Sequence, residues 1–268
     1  MESKKIGLFI PTYNVDGRVK QVLEGVPSEV LQRLERVYIF DNRSSDKTVD
    51  RCVEWANSLA DADKVRVFKN TANYLLGGST MLAFKEALND RLDFLICMHS
   101  DGQASPLDLQ KFIDAIDEPD IEYDFILGSR MLNGSDRQNY SNTRLIFNLI
   151  FACLQRLVLK TTVYDIGAFI GFNLKTIARF PAFNICPDMG YHPYLIMAAA
   201  QNSSQKLKFK EFPIFWGAVE TTNVNVIKYA IVHFWRILRL LMGIRPFQRN
   251  FVEGMMTERV FPKEASDA

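Results

Sequence analysis

The chain has no surplus charge of either sign: 32 Lys and Arg stand against 31 Asp and Glu, a formal net charge of +1. Without a basic excess to neutralise a phosphate backbone, a dedicated nucleic-acid binder is excluded. Cysteine is scarce. Cys52, Cys97, Cys153 and Cys186 are far apart and show no paired spacing, so neither a disulfide framework nor a zinc site is indicated, and buried thiols are expected. No uncharged apolar run reaches the roughly 18 residues of a membrane span. The opening stretch MESKKIGLFIPTYN has too short an apolar run for a signal peptide, so the first strand of a cytoplasmic protein is expected there. Internal repeats are absent, and so are GxGxxG and the P-loop, the two commonest nucleotide motifs.

What the chain does have is apolar residues in alternating patterns. About half of its 268 residues are apolar, enough for a sizeable core. The short runs KIGLFI, RVYIF, KVRVF and FLICMHS alternate with amphipathic stretches, which predicts an α/β domain with a mostly parallel central sheet flanked by helices. Ligands of such sheets collect at the carboxyl edge of the strands. The residues to examine are therefore Pro11 to Asn14, Asp41 and Asn42, Asn70 and Asn73, and His99, Asp101 and Gln103.

Further along, DFILGSR, YDIGAFIGFN and KFKEFPIFW read as strands. RLIFNLIFACLQRLVLK, residues 144–160, and NVIKYAIVHFWRILRLLMG, residues 225–243, read as apolar helices with a few basic residues. The expected division is a main domain over residues 1–222 and an amphipathic helical extension over 223–268.

Asp101 with Gln103 is the sharpest cluster. A hard divalent cation such as Mg2+ or Mn2+ takes one or two protein oxygens and fills its shell with water and diphosphate oxygens. The competing reading is a turn, since Ser100 to Ser105 is rich in turn formers. His99 is a candidate for metal, ribose or phosphate contact, or for simply ending the strand. Asp41 suits hydrogen bonds from a base or ribose, while Ser44, Ser45 and Asp46 supply helix-capping oxygens. Gly77 and Gly78 are expected ahead of a helix, where backbone N–H groups suit a phosphate, although a tight loop fits equally.

Taken in order, these pieces resemble the family 2 glycosyltransferases of GT-A fold, and within them the polyprenyl-phosphate glycosyltransferases of the dolichol-phosphate mannose synthase type. PTYN resembles P-x-Y-N, FDNRSSDKT resembles D-D-x-S-x-D-x-T, and NYLLGGS resembles N-x-G-x-G-G. HSDGQASP resembles D-A-D-x-Q-x-x-P, ILGSR the G-S-R segment and KEFPIFW the late E-V-P-I strand. The resemblance covers roughly residues 5–216. It implies that Pro11, Tyr13 and Asp41 line the nucleotide, with Gly78 nearby, and that Asp101 and Gln103 hold Mg2+ or Mn2+ on the diphosphate of a nucleotide-sugar donor. It also implies that Arg130, with Arg144 as the second arginine, binds an acceptor phosphate. The departures are His99 in place of the first metal-motif aspartate, Asn42 in place of the second base-binding acid, and the lack of the arginine that often follows the aspartate matched by Asp165.

The resemblance further implies inversion by direct displacement. A sugar hydroxyl acceptor needs a general base, for which Asp188 is the candidate, whereas a lipid phosphate is already ionised. The two basic, apolar helices favour a lipid-linked acceptor and a peripheral position at the inner face of the cell membrane, with core packing or a homo-oligomer surface as alternatives. A soluble transferase acting on a glycan hydroxyl and a degenerate sugar-nucleotide-binding partner are the competing functions.

Overall fold

The computed structural model describes residues 3–138, 142–217, 226–244 and 250–262, without the side chains of 142–144 and 226–229. Eight strands form one sheet: β1 (Ile6–Thr12), β2 (Arg36–Asp41), β3 (Val65–Asn70), β4 (Phe94–Cys97), β5 (Phe125–Ser129), β6 (Phe169–Asn173), β7 (Phe209–Pro213) and β8 (Thr257–Phe261). The helices are α1 (Asp16–Glu24), α2 (Ser28–Arg33), α3 (Thr48–Ser58), α4 (Leu75–Asn89), α5 (Leu109–Asp117), α6 (Asn142–Leu159), α7 (Leu174–Ala178), α8 (Tyr191–Asn202) and α9 (Val226–Leu241).

The spatial order is β7-β5-β6-β4-β1-β2-β3-β8. The expected parallel sheet is the block β4-β1-β2-β3, whose members follow one another through crossover helices. The remainder is mixed: β6 runs antiparallel to both β4 and β5, β7 is parallel to β5, and β8 closes the other edge antiparallel to β3. Alternation along each strand divides the core into two layers. Ile6, Leu8 and Ile10 of β1, Val37 and Ile39 of β2, and Phe94 and Ile96 of β4 pack with Val19, Trp55 and Ile113 on one side. Phe9, Tyr38, Phe40, Leu95 and Cys97 face the other side, with α4, α8 and α9.

Two elements carry weak sequence signals. The segment from Tyr191 to Ala199 is buried all round, so α8 lacks the amphipathic stripe that marks a surface helix. β8 is a short half-exposed strand in what reads as a polar tail. The extension expected from residue 223 is thus helical over Val226–Leu241 and then returns to the main sheet.

His192 gives this core a pH dependence. Burial, helped by repulsion from His99, lowers its imidazole pKa to about 3, and its Nε2 lies 2.8 Å from Thr80 Oγ1. The folded state holds this ring neutral while an unfolded histidine protonates near 6.5. The stabilisation is therefore complete above about pH 6.5 and is lost as the pH falls toward 3. Within that window each pH unit costs about 1.4 kcal/mol. Urea midpoints measured from pH 7 to 4 are expected to fall less steeply in His192→Gln than in the parent protein.

Candidate active site

The carboxyl ends of β1, β2, β3 and β4 meet at one edge, and just beyond the first three a non-glycine residue takes left-handed backbone: Asn14 (φ 50°), Arg43 (φ 65°) and Leu75 (φ 58°), the last at the start of α4. The loop after β4 has Gly102 at φ 79°. Such backbone persists only where surrounding bonds hold it, and here they do. Asn14 Oδ1 accepts from Ser45 N at 2.8 Å, Asn14 N donates to Ser44 Oγ at 2.9 Å, and Val15 N donates to Thr48 Oγ1 at 2.9 Å. Asp46, two residues ahead of α3, accepts from Thr48 N at 3.0 Å.

Asp41 is 0% exposed, and its carboxylate accepts from Ser44 N at 2.8 Å, from Ser44 Oγ, and from Thr12 Oγ1 at 3.3 Å. It therefore fastens the β1 and β2 ends together instead of presenting oxygens at the surface of the crevice. Asn42 is the hub of an amide cluster. Its Oδ1 accepts from Asn70 Nδ2 (3.1 Å) and Tyr74 N (2.8 Å), and its Nδ2 donates to Asn73 Oδ1 (2.7 Å). A carboxylate at position 42 has no proton to give Asn73, so this cluster accounts for the amide there. Tyr13 is 40% exposed at the rim, and the half-buried Pro11 accepts Ser100 Oγ at its carbonyl, 2.6 Å away.

Gly77 and Gly78 lie inside the first turn of α4, not ahead of it, which corrects the expected phosphate cradle. Their N–H groups donate to Asp188 O (3.2 Å) and Tyr74 O (3.1 Å). Neither is left for a phosphate. They are glycines because a Cβ at 77 would meet the Pro187 backbone, and one at 78 would meet Tyr74 and Met255.

In the loop after β4, each candidate ligand has one polar atom engaged by the protein and another left over. His99 Nε2 lies 3.0 Å from Ala168 O, Asp101 Oδ1 accepts Gln103 N at 3.0 Å, and Gln103 Nε2 donates to Gly217 O at 3.4 Å. His99 Nδ1, Asp101 Oδ2 and Gln103 Oε1 remain, a donor set that fits a divalent ion whose other ligands come from a substrate. Among the described residues no three His, Cys, Asp or Glu side chains group together, so the protein alone forms no closed metal cage.

Arg130, at the end of β5, is anchored by Asp165. Its Nε and Nη2 donate to the carboxylate at 2.7 and 2.8 Å, and its backbone N donates at 3.0 Å. Asp165 is positioned in turn by Glu211 of β7, which accepts from Tyr164 N and Asp165 N at 2.9–3.1 Å. Burial pushes the Glu211 carboxyl above its ordinary range, against the opposing pull of Ser129 Oγ and those two N–H groups. The late strand glutamate, itself bonded by the G-S-R serine, thus holds in place the mid-chain aspartate that grips Arg130. Arg130 borders a cavity of about 140 Å³ lined also by Tyr164, Gly167, Gln155 and His233.

Trp216 joins the two groups. The Arg130 guanidinium lies 5.0 Å from its ring centroid and the His99 ring stands edge-on at 5.6 Å. The segment Asp165 to Ala168 also touches both, through Arg130 at one end and His99 at the other. In the sequence Trp216 is only the last residue of an apolar run.

Asp188, the candidate base, sits before α8 with both carboxylate oxygens bound by Arg236 of α9, the Nη1 to Oδ1 bond being 2.8 Å. Oδ1 also accepts Gly190 N at 2.9 Å. Both oxygens are thus taken up by partners within the protein. Arg144 lies in α6, but its side chain is outside the described residues.

Residues 8–179 match the family described as glycosyl transferase family 2. The chain belongs to this family. It is 28% identical over 264 residues to the UDP-N-acetylglucosamine–dolichyl-phosphate N-acetylglucosaminyltransferase of Methanococcus voltae, covering 91% of this chain and 98% of that one. It is 24% identical over 250 residues to the undecaprenyl-phosphate mannosyltransferase of Micrococcus luteus, covering 88% and 98%. Among solved structures it resembles the glucosyl-3-phosphoglycerate synthase of Mycobacterium tuberculosis in complex with Mn2+, UDP-glucose and phosphoglyceric acid. That likeness has a TM-score of 0.61 at 12% identity and covers 98% of this chain and 88% of that one. The family 2 chain has the GT-A fold.

Proposed function

We propose that this glycosyltransferase moves a sugar, with inversion, from a nucleoside-diphosphate sugar to a polyprenyl phosphate presented at the cytoplasmic membrane face. The observation that carries this reading is the placement of Arg130 beside the metal-type donor set, with Trp216 between them. A donor diphosphate held by Asp101 and Gln103 would lie next to an arginine preoriented for an acceptor phosphate. The metal supplies Lewis-acid stabilisation of the departing nucleoside diphosphate when bound. The chain's own groups position the reactants: Asp165 and Glu211 set the guanidinium, and Tyr13 and Pro11 border the nucleotide. An ionised phosphate needs no general base, which agrees with the engagement of Asp188 by Arg236. Relatives named for dolichyl and undecaprenyl phosphates point the same way.

Support for membrane contact comes from α6 and α9, which pack on each other and expose large apolar side chains, including Ile146 (58%), Ile150 (51%), Ile231 (55%) and Trp235 (56%). No helix among the described residues is long and apolar enough to cross a membrane. A face of this kind suits insertion into the headgroup layer.

The test uses the full chain, vesicles carrying either undecaprenyl phosphate or the parent polyprenol, and radiolabelled UDP- and GDP-sugars with Mn2+. Label is expected on the lipid phosphate and not on the alcohol. Arg130→Ala is expected to lower kcat/KM for the lipid phosphate by about 30-fold or more, as truncating one side of a buried charge contact does. Transfer to the polyprenol instead, together with a folded Asp188→Asn variant whose kcat drops by the 10²–10⁴-fold typical of a lost general base, would favour the hydroxyl-acceptor reading.

A further inference from the structure

We propose that His99 is a nitrogen ligand of the divalent ion, and that it turns the preference of the site away from Mg2+ and toward Mn2+ and the later first-row ions. The inference rests on the reading of Asp101 and Gln103 as the metal-binding pair and adds a third, chemically different ligand to it.

The argument begins with the tautomer. Ala168 O, 3.0 Å from Nε2, can only accept, so Nε2 carries the proton and the neutral ring keeps its lone pair on Nδ1. A ring N–H held by a carbonyl is the arrangement that orients metal-binding histidines and raises the basicity of the other nitrogen. Trp216, edge-on at 5.6 Å, packs against the same ring. The intervening residue points elsewhere, since Ser100 Oγ donates to Pro11 O at 2.6 Å on the β1 side. Gly217, the residue after Trp216, is bonded to Gln103 through both its N–H (2.8 Å) and its carbonyl (3.4 Å), which ties the Asp101–Gln103 end of the loop to the segment that packs on His99.

The chemistry of the ligand then decides the ion. Mg2+ takes oxygen ligands and dehydrates reluctantly, whereas imidazole binds first-row transition ions with affinity rising from Mn2+ toward Cu2+. Exchange of the first aspartate for histidine also removes one negative charge. The remaining set of one carboxylate, one amide oxygen and one imidazole is least suited to Mg2+.

The experiment is pulsed electron paramagnetic resonance on the full chain with Mn2+ and UDP, repeated with GDP. Parent protein is compared with His99→Asp, which restores a second carboxylate, and His99→Asn, which offers an N–H donor but no ring nitrogen. Thermal melts first establish that both variants fold. Echo modulation from a directly bound nitrogen is expected in the parent and in neither variant. Competition titrations are expected to show the Mn2+-over-Mg2+ preference falling about tenfold or more in His99→Asp, the size of effect seen when a metal's ligand environment is altered. A bound Mn2+-nucleotide complex showing phosphorus coupling but no nitrogen modulation overturns the role of His99 and leaves Asp101 and Gln103 as metal ligands. Modulation that persists in both variants comes from another nitrogen and overturns it as well. Absence of any bound Mn2+ removes both readings.

Discussion

Asp165→Ala is expected to destabilise the protein by about 3–5 kcal/mol, the usual cost of removing one partner of a buried ion pair. Asp165 is 5% exposed and Arg130 15%, so neither group is well hydrated and each depends on the other for charge compensation. The carboxylate also accepts Arg130 N and Gly167 N, at 3.0 and 3.3 Å, so the substitution releases the backbone at the end of β5 and in the turn before β6. Urea unfolding followed by far-UV circular dichroism measures the loss. The same change should raise KM for a lipid-phosphate acceptor far more than KM for the donor, because Arg130 loses its orientation while the loops after β1 to β4 keep theirs. Asp165→Asn keeps one acceptor oxygen and should fall between the two proteins. An unchanged midpoint in Asp165→Ala would mean that the bidentate pair contributes little.

Gly77→Ala is expected to cost about 3 kcal/mol, or a Tm lower by roughly 6–12 °C, near the upper end for overpacking a closed site. The added Cβ would stand 2.6 Å from both the Pro187 carbonyl carbon and Tyr191 Cβ, and 2.7 Å from Pro187 Cα. Two of those atoms are main chain and cannot rotate away. Relief requires α4 to withdraw from the segment 187–191, which also breaks the bond from Gly77 N to Asp188 O. Gly17→Ala is the control: it lies in α1 with nothing within 4 Å of the new methyl group. There the gain in helix propensity should leave Tm equal or higher. Differential scanning calorimetry of the two variants separates the packing effect from the general effect of replacing a helical glycine.

The parallel half of the sheet was legible because each of its strands is a short apolar run followed by an amphipathic helix, a pattern produced by burial on both faces. The clustering of His99, Asp101 and Gln103 was legible for the same reason: a buried strand must end somewhere, and polar residues mark the end. α8 was not legible as a helix, since an element buried on all sides has no period to read. Nor was β8, whose partner β3 lies 187 or more residues away and whose own residues are half exposed. Gly77 and Gly78 resembled a phosphate loop because a glycine pair looks the same whether it yields to a ligand or to another part of the chain.

The sequence by itself determined the α/β class and the family, because burial patterns and motif order are local properties written along the chain. Only the tertiary structure decided what each polar group is engaged with. Asp41 is enclosed by Thr12 and Ser44, Asp188 is held by Arg236, and Arg130 is positioned through Asp165 by Glu211. Those assignments depend on partners from 3 to 48 residues away, brought within hydrogen-bond reach by the packing of strands and helices. A carboxylate alone in water and one gripped by a guanidinium are the same letter in a sequence, and differ only once the fold has chosen their neighbours.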